Sequence, residues 1–216
     1  MGLLYGDCFP MTDIIHIHPE NPQNRFIRSV VACLEKGGVI IYPTDSGYSL
    51  GCLLSEKAPL NRIRRIRQLE KDHLLTLLCR DLSEVSHYAR FSTPTFRILK
   101  THLPGPYTFV LEASRVAKKT FCNPKRSTVG VRMPSHPVAR CLLESAEVPL
   151  LGISLNGAEE SLSLDSVEEL DEDWLHEVDM IIDSGRSQCE PTSIIDLTSP
   201  IPVVLREGSG PIDIFT

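Results

Sequence analysis

Val39 to Cys52, VIIYPTDSGYSLGC, constrains the fold more than any other stretch of the chain. Val39-Ile40-Ile41-Tyr42 reads as a strand, because β-branched and aromatic side chains pack well on a pleated sheet. Pro43 is expected to end it, since it has no amide donor for a ladder. Thr44, Asp45, Ser46 and Gly47 then set three short polar side chains on a tight turn, and Tyr48 to Leu53 resumes an extended pattern. A polar turn between two apolar strands is a place to hold a polar ligand, and equally a place for a purely structural hydrogen-bonded turn.

The rest of the chain alternates short apolar runs with helical patterns. Residues 1–10 fit no element and read as an extension or flexible start, leaving 11–216 as one domain. Thr12 to Ile17 is a strand, with His16 and His18 on one face. Phe26, Ile27, Val30, Val31 and Leu34 recur at helical spacing, and Gly37-Gly38 stops that helix. Ala58 to Leu69 is a second helix, with Leu60, Ile63 and Ile66 inward and Arg62 and Arg65 outward. Further strands are read at 74–79, 107–111, 127–133, 150–153, 178–182, 193–197 and 202–206.

Helix starts are signalled by side chains that accept free backbone amides. Asp81 with Glu84, and Ser166 with Glu169, form capping boxes, the second opening an acidic helix near 167–176. Ser135 is expected to cap a helix running through Glu144. Thr93-Pro94 starts a helix with Phe96, Leu99 and Leu103 inward. The tail from Glu207 to Thr216 is expected to lie along the surface. About nine strands and five or six helices predict an α/β fold: a mixed parallel/antiparallel open sheet with flanking helices, since some connections are too short for parallel crossovers.

Charge is unevenly spread. The net charge of −6 gives no global nucleic-acid signature. Residues 57–140, however, hold 17 of the 22 Lys and Arg and only 5 acidic residues, whereas 141–190 hold 14 acidic residues and one Arg. The basic block suits a phosphate-bearing partner; alternatively, the two blocks face each other. No apolar run reaches membrane-spanning length. The 7 cysteines are scattered and include no CxxC pair, which argues against a zinc knuckle and for a reducing cytoplasm.

No P-loop, dinucleotide-binding glycine pattern, nucleophile elbow or HExxH helix is present. What recurs is small polar residues at strand ends: Thr44 and Asp45, Ser154 and Asn156, Thr192 and Ser193. Arg132 lies in one strand, Arg206 near the end of another, and Arg67 ends the basic helix. Ligands of open α/β sheets gather beyond strand ends. Hydroxyls there bind polar groups, and guanidinium forks neutralise phosphate oxygens. With no strong acid–base pair, this pattern suits chemistry driven by positioning and charge neutralisation.

The chain resembles the YrdC/YciO family of threonylcarbamoyl-adenylate synthases, most closely its YciO-type branch. The matching segments are YPTDSGYSLGC at 42–52, LPGPYTFVLEA at 103–113, VGVRMPSHPVA at 129–139, SLN at 154–156, PTSIIDL at 191–197 and VVLREG at 203–208. The resemblance implies a twisted, YrdC-like form of the mixed sheet. It also implies use of ATP with magnesium, L-threonine and bicarbonate to make threonylcarbamoyl-AMP and pyrophosphate, for modification of a tRNA adenosine. By the same resemblance Thr44 lines the small-substrate pocket, Ser154 and Asn156 hold nucleotide or phosphate groups, Arg132 and Arg206 contact carboxylate or phosphates, and Ser193 closes the nucleotide site. Double-stranded RNA binding is also attributed to the family, and the basic helix, through Arg62 and Arg65, is the surface for it.

Departures from the synthase pattern fall on charge. The family's K-x-R stretch and following Lys become Arg67, Leu69 and His73, and its S-T-S-A-N becomes Gly152-Ile153-Ser154-Leu155-Asn156. Leu69 cannot bind phosphate, and an ordinary histidine is largely neutral at pH 7. Two lost charged hydrogen bonds, at roughly 1.5–3 kcal/mol each, predict about two to four decades of weakening. The sequence therefore supports a nucleotide-binding protein of the synthase type, weak or altered in its substrate. The alternative is a double-stranded RNA- or tRNA-binding protein without this catalysis.

Overall fold

The computed structural model describes residues 12–54, 57–69, 73, 75–121, 127–155, 166–170, 172–187 and 190–215. In chain order the elements are β1 (Asp13–His16), α1 (Asn24–Glu35), β2 (Ile40–Thr44), β3 (Gly47–Leu53), α2 (Lys57–Ile66), β4 (Thr76–Leu78), α3 (Leu82–Tyr88), β5 (Ala89–Arg90) and α4 (Thr93–His102). There follow β6 (Tyr107–Ala113), α5 (Arg115–Thr120), β7 (Thr128–Arg132), α6 (Pro137–Ala146), β8 (Leu150–Ser154), a 3-10 turn at Val167–Glu169, α7 (Glu172–Glu177), β9 (Met180–Asp183), β10 (Ser193–Asp196) and β11 (Val203–Arg206). The strands form one mixed open sheet in the order β1-β9-β2-β3-β8-β4-β7-β6-β10-β11, with β5 beside β6. Parallel pairs (β1 with β9, β2 with β9, β4 with β7, β6 with β10) sit among antiparallel ones. This is the predicted architecture.

Both faces of the sheet are buried, which the alternation within single strands makes plain. In β2 and the residue before it, Val39 and Ile41 join one core while Ile40 and Tyr42 join the other. The larger core also takes Leu60 and Ile63 from α2, Val85 from α3, Leu99 from α4 and Ala117 from α5. The smaller core takes Ile27, Val30 and Leu34 from α1 and Val138 and Leu142 from α6. Each Leu, Ile or Val among them contributes about 1.5–3 kcal/mol relative to exposure. Among the described residues four helices thus pack on one face and two pack on the other.

Several local expectations change in three dimensions. Pro43 does not end β2; it pairs opposite Tyr48. On its other side β2 pairs with β9 only through Ile40 and Ile41, so the proline falls where one edge has no ladder to break. His18 lies beyond β1 and its Nδ1 accepts the amides of Glu20 and Asn21. The Asp81–Glu84 box forms, with Asp81 accepting the Glu84 amide at 2.8 Å. Ser166 makes no cap bond, and the acidic helix is split into the 3-10 turn and α7. Phe96 is exposed on α4, while Leu99 and Leu103 are buried as predicted. The short α5 is too brief to show an apolar stripe and is announced only by its Ser114 cap.

The C-terminal tail also does more than lie on the surface. It folds back so that Tyr107 donates to the Pro211 carbonyl at 3.0 Å, and Phe215 is buried against Tyr107 and Phe109. Gly210 is required there, since a Cβ would stand 2.5 Å from the Tyr107 ring. Residues 1–11, including the expected extension, lie outside the described residues.

Candidate functional site

On the face that α1 and α6 cover only in part, the remaining strands surround a cavity of about 460 Å³. Strand alternation decides what lines it. Leu77, Phe109, Val131 and Ile195 point into the larger core, so Thr76, Leu78, Thr108, Arg132 and Ile194 face the cavity. Ser49 reaches it from β3, and Gly152, Ile153 and Ser154 from β8. Arg67, Leu69 and His73 close one side. The result is a hollow of hydroxyls and guanidinium groups with an apolar patch.

One wall is the turn between β2 and β3. Gly47 supplies the positive φ of 92° the turn requires. The Thr44 hydroxyl donates to the Gly47 carbonyl at 2.7 Å and accepts the Ser46 amide at 3.2 Å. Arg132, at the end of β7 and 6% exposed, donates to the Ser46 hydroxyl at 2.7 Å and to the Asp45 carboxylate. Asp45 is in turn held by the Ser135 amide and hydroxyl at 3.2 and 3.1 Å. Ser135 is therefore occupied with Asp45, and His136 caps α6, its Nδ1 accepting the Val138 amide at 3.3 Å. Burial holds the His136 imidazole below its ordinary pKa, against the opposing pull of Asp45.

The opposite wall depends on an irregularity in a strand. Ile195 pairs with Val204 but Ile194 pairs with Arg206, so Leu205 is an extra residue on β11. This bulge puts Val204 against the larger core and turns Arg206 to the cavity. Nε and Nη2 of Arg206 donate to the Thr192 carbonyl at 3.1 and 2.8 Å. Among the described residues no carboxylate pairs with it. Burial, and then the nearby charge of Arg132, hold its guanidinium below the usual arginine range. Both arginines line the same cavity, Arg132 with its charge met by Asp45 and Arg206 with no carboxylate partner among the described residues.

Of the residues singled out from the sequence, Arg67, Arg132, Ser154 and Arg206 come together around the cavity. Thr44 is fully buried behind the wall, where it braces the turn, and it is Ser46 that lines the cavity. Ser193 is likewise turned inward: it donates to the Gly210 carbonyl at 2.5 Å and accepts the Gly208 amide at 2.9 Å. Its neighbour Thr192 takes the cavity position, bonded to Thr108 at 2.9 Å. Asn156 lies outside the described residues. Sequence reasoning also missed Ser49, Thr76 and Thr108. Their signal was the polar member of an apolar alternation, which gives a face but not what covers it.

Arg62 and Arg65 are elsewhere and are engaged. Arg62 binds Asp179 at 2.7 Å and the Glu177 carbonyl at 3.0 Å, and Arg65 binds the Glu177 carboxylate at 2.8 Å. Here the basic and acidic blocks meet each other. Among the described residues, no group of three or more His, Cys, Asp or Glu side chains could hold a metal ion, and no helix is long and apolar enough to cross a membrane.

Comparison with known proteins bears on this site. A family model for Sua5, YciO and YrdC, described as telomere recombination, matches residues 32–208. YciO of Escherichia coli is 44% identical over 95% of this chain and 100% of its own, and its crystal structure superposes with a TM-score of 0.89. Human threonylcarbamoyl-AMP synthase is 32% identical over 81% of this chain and 63% of its own. The Pyrococcus abyssi Sua5 structure complexed with L-threonine is 29% identical, has a TM-score of 0.84, and is covered over 59% of its length by 94% of this chain.

Proposed function

The chain belongs to the Sua5/YciO/YrdC family, and on that premise we propose that it is a nucleotide-binding protein resembling threonylcarbamoyl-AMP synthase, with weakened or altered use of its substrates. The observation that carries this reading is the convergence of Arg132 and Arg206 on one hydroxyl-lined cavity. Two guanidinium groups there suit an anionic phosphoryl or carboxylate group, and Ser46, Thr108, Thr192 and Ser154 supply neutral hydrogen bonds around it. The relative bound to L-threonine supports a small amino-acid substrate.

Catalysis in such a site would rest on orientation and charge stabilisation rather than on a protein acid or base. The full reaction would join threonine and bicarbonate to the AMP portion of ATP and release pyrophosphate and water. No carboxylate lines the cavity among the described residues, so the wall does not fit a magnesium cage. Magnesium would arrive on the nucleotide phosphates. Leu69 and Ile153 stand on the wall, where they offer no charge or hydroxyl to a triphosphate. The chain is read as cytoplasmic from its 7 scattered cysteines, an odd count with no CxxC pair. An RNA-binding role for Arg62 and Arg65 would have to displace Asp179 and Glu177, and so has weaker support.

The test is pyrophosphate release by purified protein with ATP, magnesium, threonine and bicarbonate, alongside calorimetric titration of adenine nucleotides. We expect heat on nucleotide addition, and slow pyrophosphate release that needs all four components. ATP turnover that ignores threonine and bicarbonate would rule out the assigned reaction. Absence of binding to every adenine nucleotide would remove the nucleotide reading itself.

A further inference from the structure

We propose that a second cavity, at the seam between β5 and β10, is a docking site for an acidic protein segment carrying a large apolar anchor residue. The seam follows from the register of β6. Glu112 pairs with Thr128 of β7 on one side, so its partner Arg90 of β5 lies on the other, the side that β10 occupies from Tyr107 to Val110. β5 and β10 therefore meet end to end along one edge of β6, with Leu111 between their ends. Where the chain departs from the two strands it encloses a cavity of about 450 Å³.

The cavity is built to take an apolar group. Phe91, Pro94, Ile98, Leu197, Pro200 and Pro202 line it, and the proline rings stiffen its wall. Its edges are tied down by local hydrogen bonds: the Thr198 hydroxyl donates to Asp196 at 2.7 Å, and the hydroxyls of Ser92 and Thr95 are bonded at 3.0 Å. A preformed apolar hollow accepts an inserted side chain at little cost in ordering. Apolar surface also continues past the mouth, since Ile201 is 76% exposed and Val203 48%. An anchoring pocket with further contacts around it is the anatomy of a protein interface rather than of a small-molecule site.

Charge decides the kind of partner. Residues 89–120 hold Arg90, Arg97, Lys100, Arg115, Lys118 and Lys119, with Glu112 as the one acidic residue. All six cations are exposed. Arg62 and Arg65 are met by Asp179 and Glu177, but among the described residues none of these six has a carboxylate partner. They adjoin the cavity: Arg90 lines it, α4 supplies both Ile98 and the neighbouring Arg97, and α5 opens at Arg115, three residues after Glu112. Glu112 also lines the cavity and would repel an incoming carboxylate, so an acidic segment anchored there is directed towards Arg90 and the cations of α4 and α5. A nucleic acid would be drawn to the same cations, but its phosphates gain nothing from a proline-walled apolar hollow.

The experiment is selection of a random displayed-peptide library on the immobilised full chain, followed by fluorescence polarisation of the selected peptides. Peptides rich in Asp and Glu around a Trp, Phe or Leu are expected, with binding that weakens as salt rises. Arg90→Glu and Ile201→Ser, both at exposed positions, should each weaken that binding about tenfold and leave nucleotide titration of the first cavity unchanged. Glu112→Gln should tighten it, and replacing the peptide's apolar residue with Ala should remove it. Enrichment of no peptide, or of peptides without acidic excess, would overturn the proposal. So would binding indifferent to both Arg90→Glu and Ile201→Ser. A structured RNA hairpin that displaces the peptides and is lost equally with Arg90→Glu would replace the protein partner with a nucleic acid. Self-association on gel filtration that Ile201→Ser abolishes would give the surface to a second copy of this chain instead.

Discussion

Arg132 and Arg206 stand on opposite sides of one cavity and are held in opposite ways. Arg132 is almost wholly buried, with Asp45, Ser46 and Thr44 arranged around its guanidinium group. Arg206 is half-buried and is steadied by the carbonyl of Thr192. The first has its charge answered inside the protein; the second has not, among the described residues. A folding chain can bury an arginine cheaply only by pairing it. The comparison therefore separates an arginine that builds the wall from one whose charge is left for a ligand.

The largest effect should come from breaking the paired side. Asp45→Asn leaves Arg132 buried without its counter-charge and weakens the hold of Ser135. Removing one partner of a buried pair costs about 3–5 kcal/mol, so the urea midpoint should fall sharply with an unchanged slope. A loss below about 1 kcal/mol would mean that Arg132 is not a structural arginine, and the contrast between the two walls would collapse.

The unpaired side should behave in the converse manner. Arg206→Gln removes a charge that supports little in the folded chain, so stability should change by less than about 1 kcal/mol. Nucleotide affinity should fall by about 1.5–3 kcal/mol, roughly ten- to a hundredfold, the worth of a charge-assisted hydrogen bond. Calorimetry on the variant measures this directly. Unchanged affinity with lowered stability would exchange the roles assigned to the two arginines.

How much of this was legible beforehand differs between the two sides as well. The alternation of strands and helices, and the gathering of Arg67, Arg132 and Ser154 at strand ends, could be read from residue pattern because periodicity reports which residues share a face. Arg206 was also placed near a strand end, but the direction it faces could not be read. Simple alternation from Val204 would send it into the larger core, and only the extra residue Leu205 turns it outward. Thr44 and Ser193 were recognisable as polar strand-end residues, but their hydroxyls are consumed by the turn and by the returning tail. Those bonds join residues through local geometry and distant chain, which composition and spacing do not encode. Arg62 and Arg65 illustrate the same limit, since a basic helix reads alike whether it faces RNA or an acidic segment.

The smallest expected effect lies beside the paired wall and tests whether its burial is real. His136 caps α6 through a neutral Nδ1 that accepts the Val138 amide, and burial holds its pKa below the ordinary value. A depressed folded pKa means that the unfolded chain takes up the proton first. The contribution is therefore fully present above the unfolded value of about 6.5 and is lost as pH falls through the lower folded value. Asn at this position can still accept the amide, as a good N-cap does, but cannot titrate. His136→Asn should therefore match the parent near pH 7.5 and become relatively more stable by pH 5. The shift should lie at the lower end of the roughly 0.5–2 kcal/mol range for a helix cap. Urea unfolding of both proteins at the two pH values measures it, and parallel behaviour would place His136 in open solvent, with the Arg132 wall less enclosed than its contacts with Asp45 and Ser46 require.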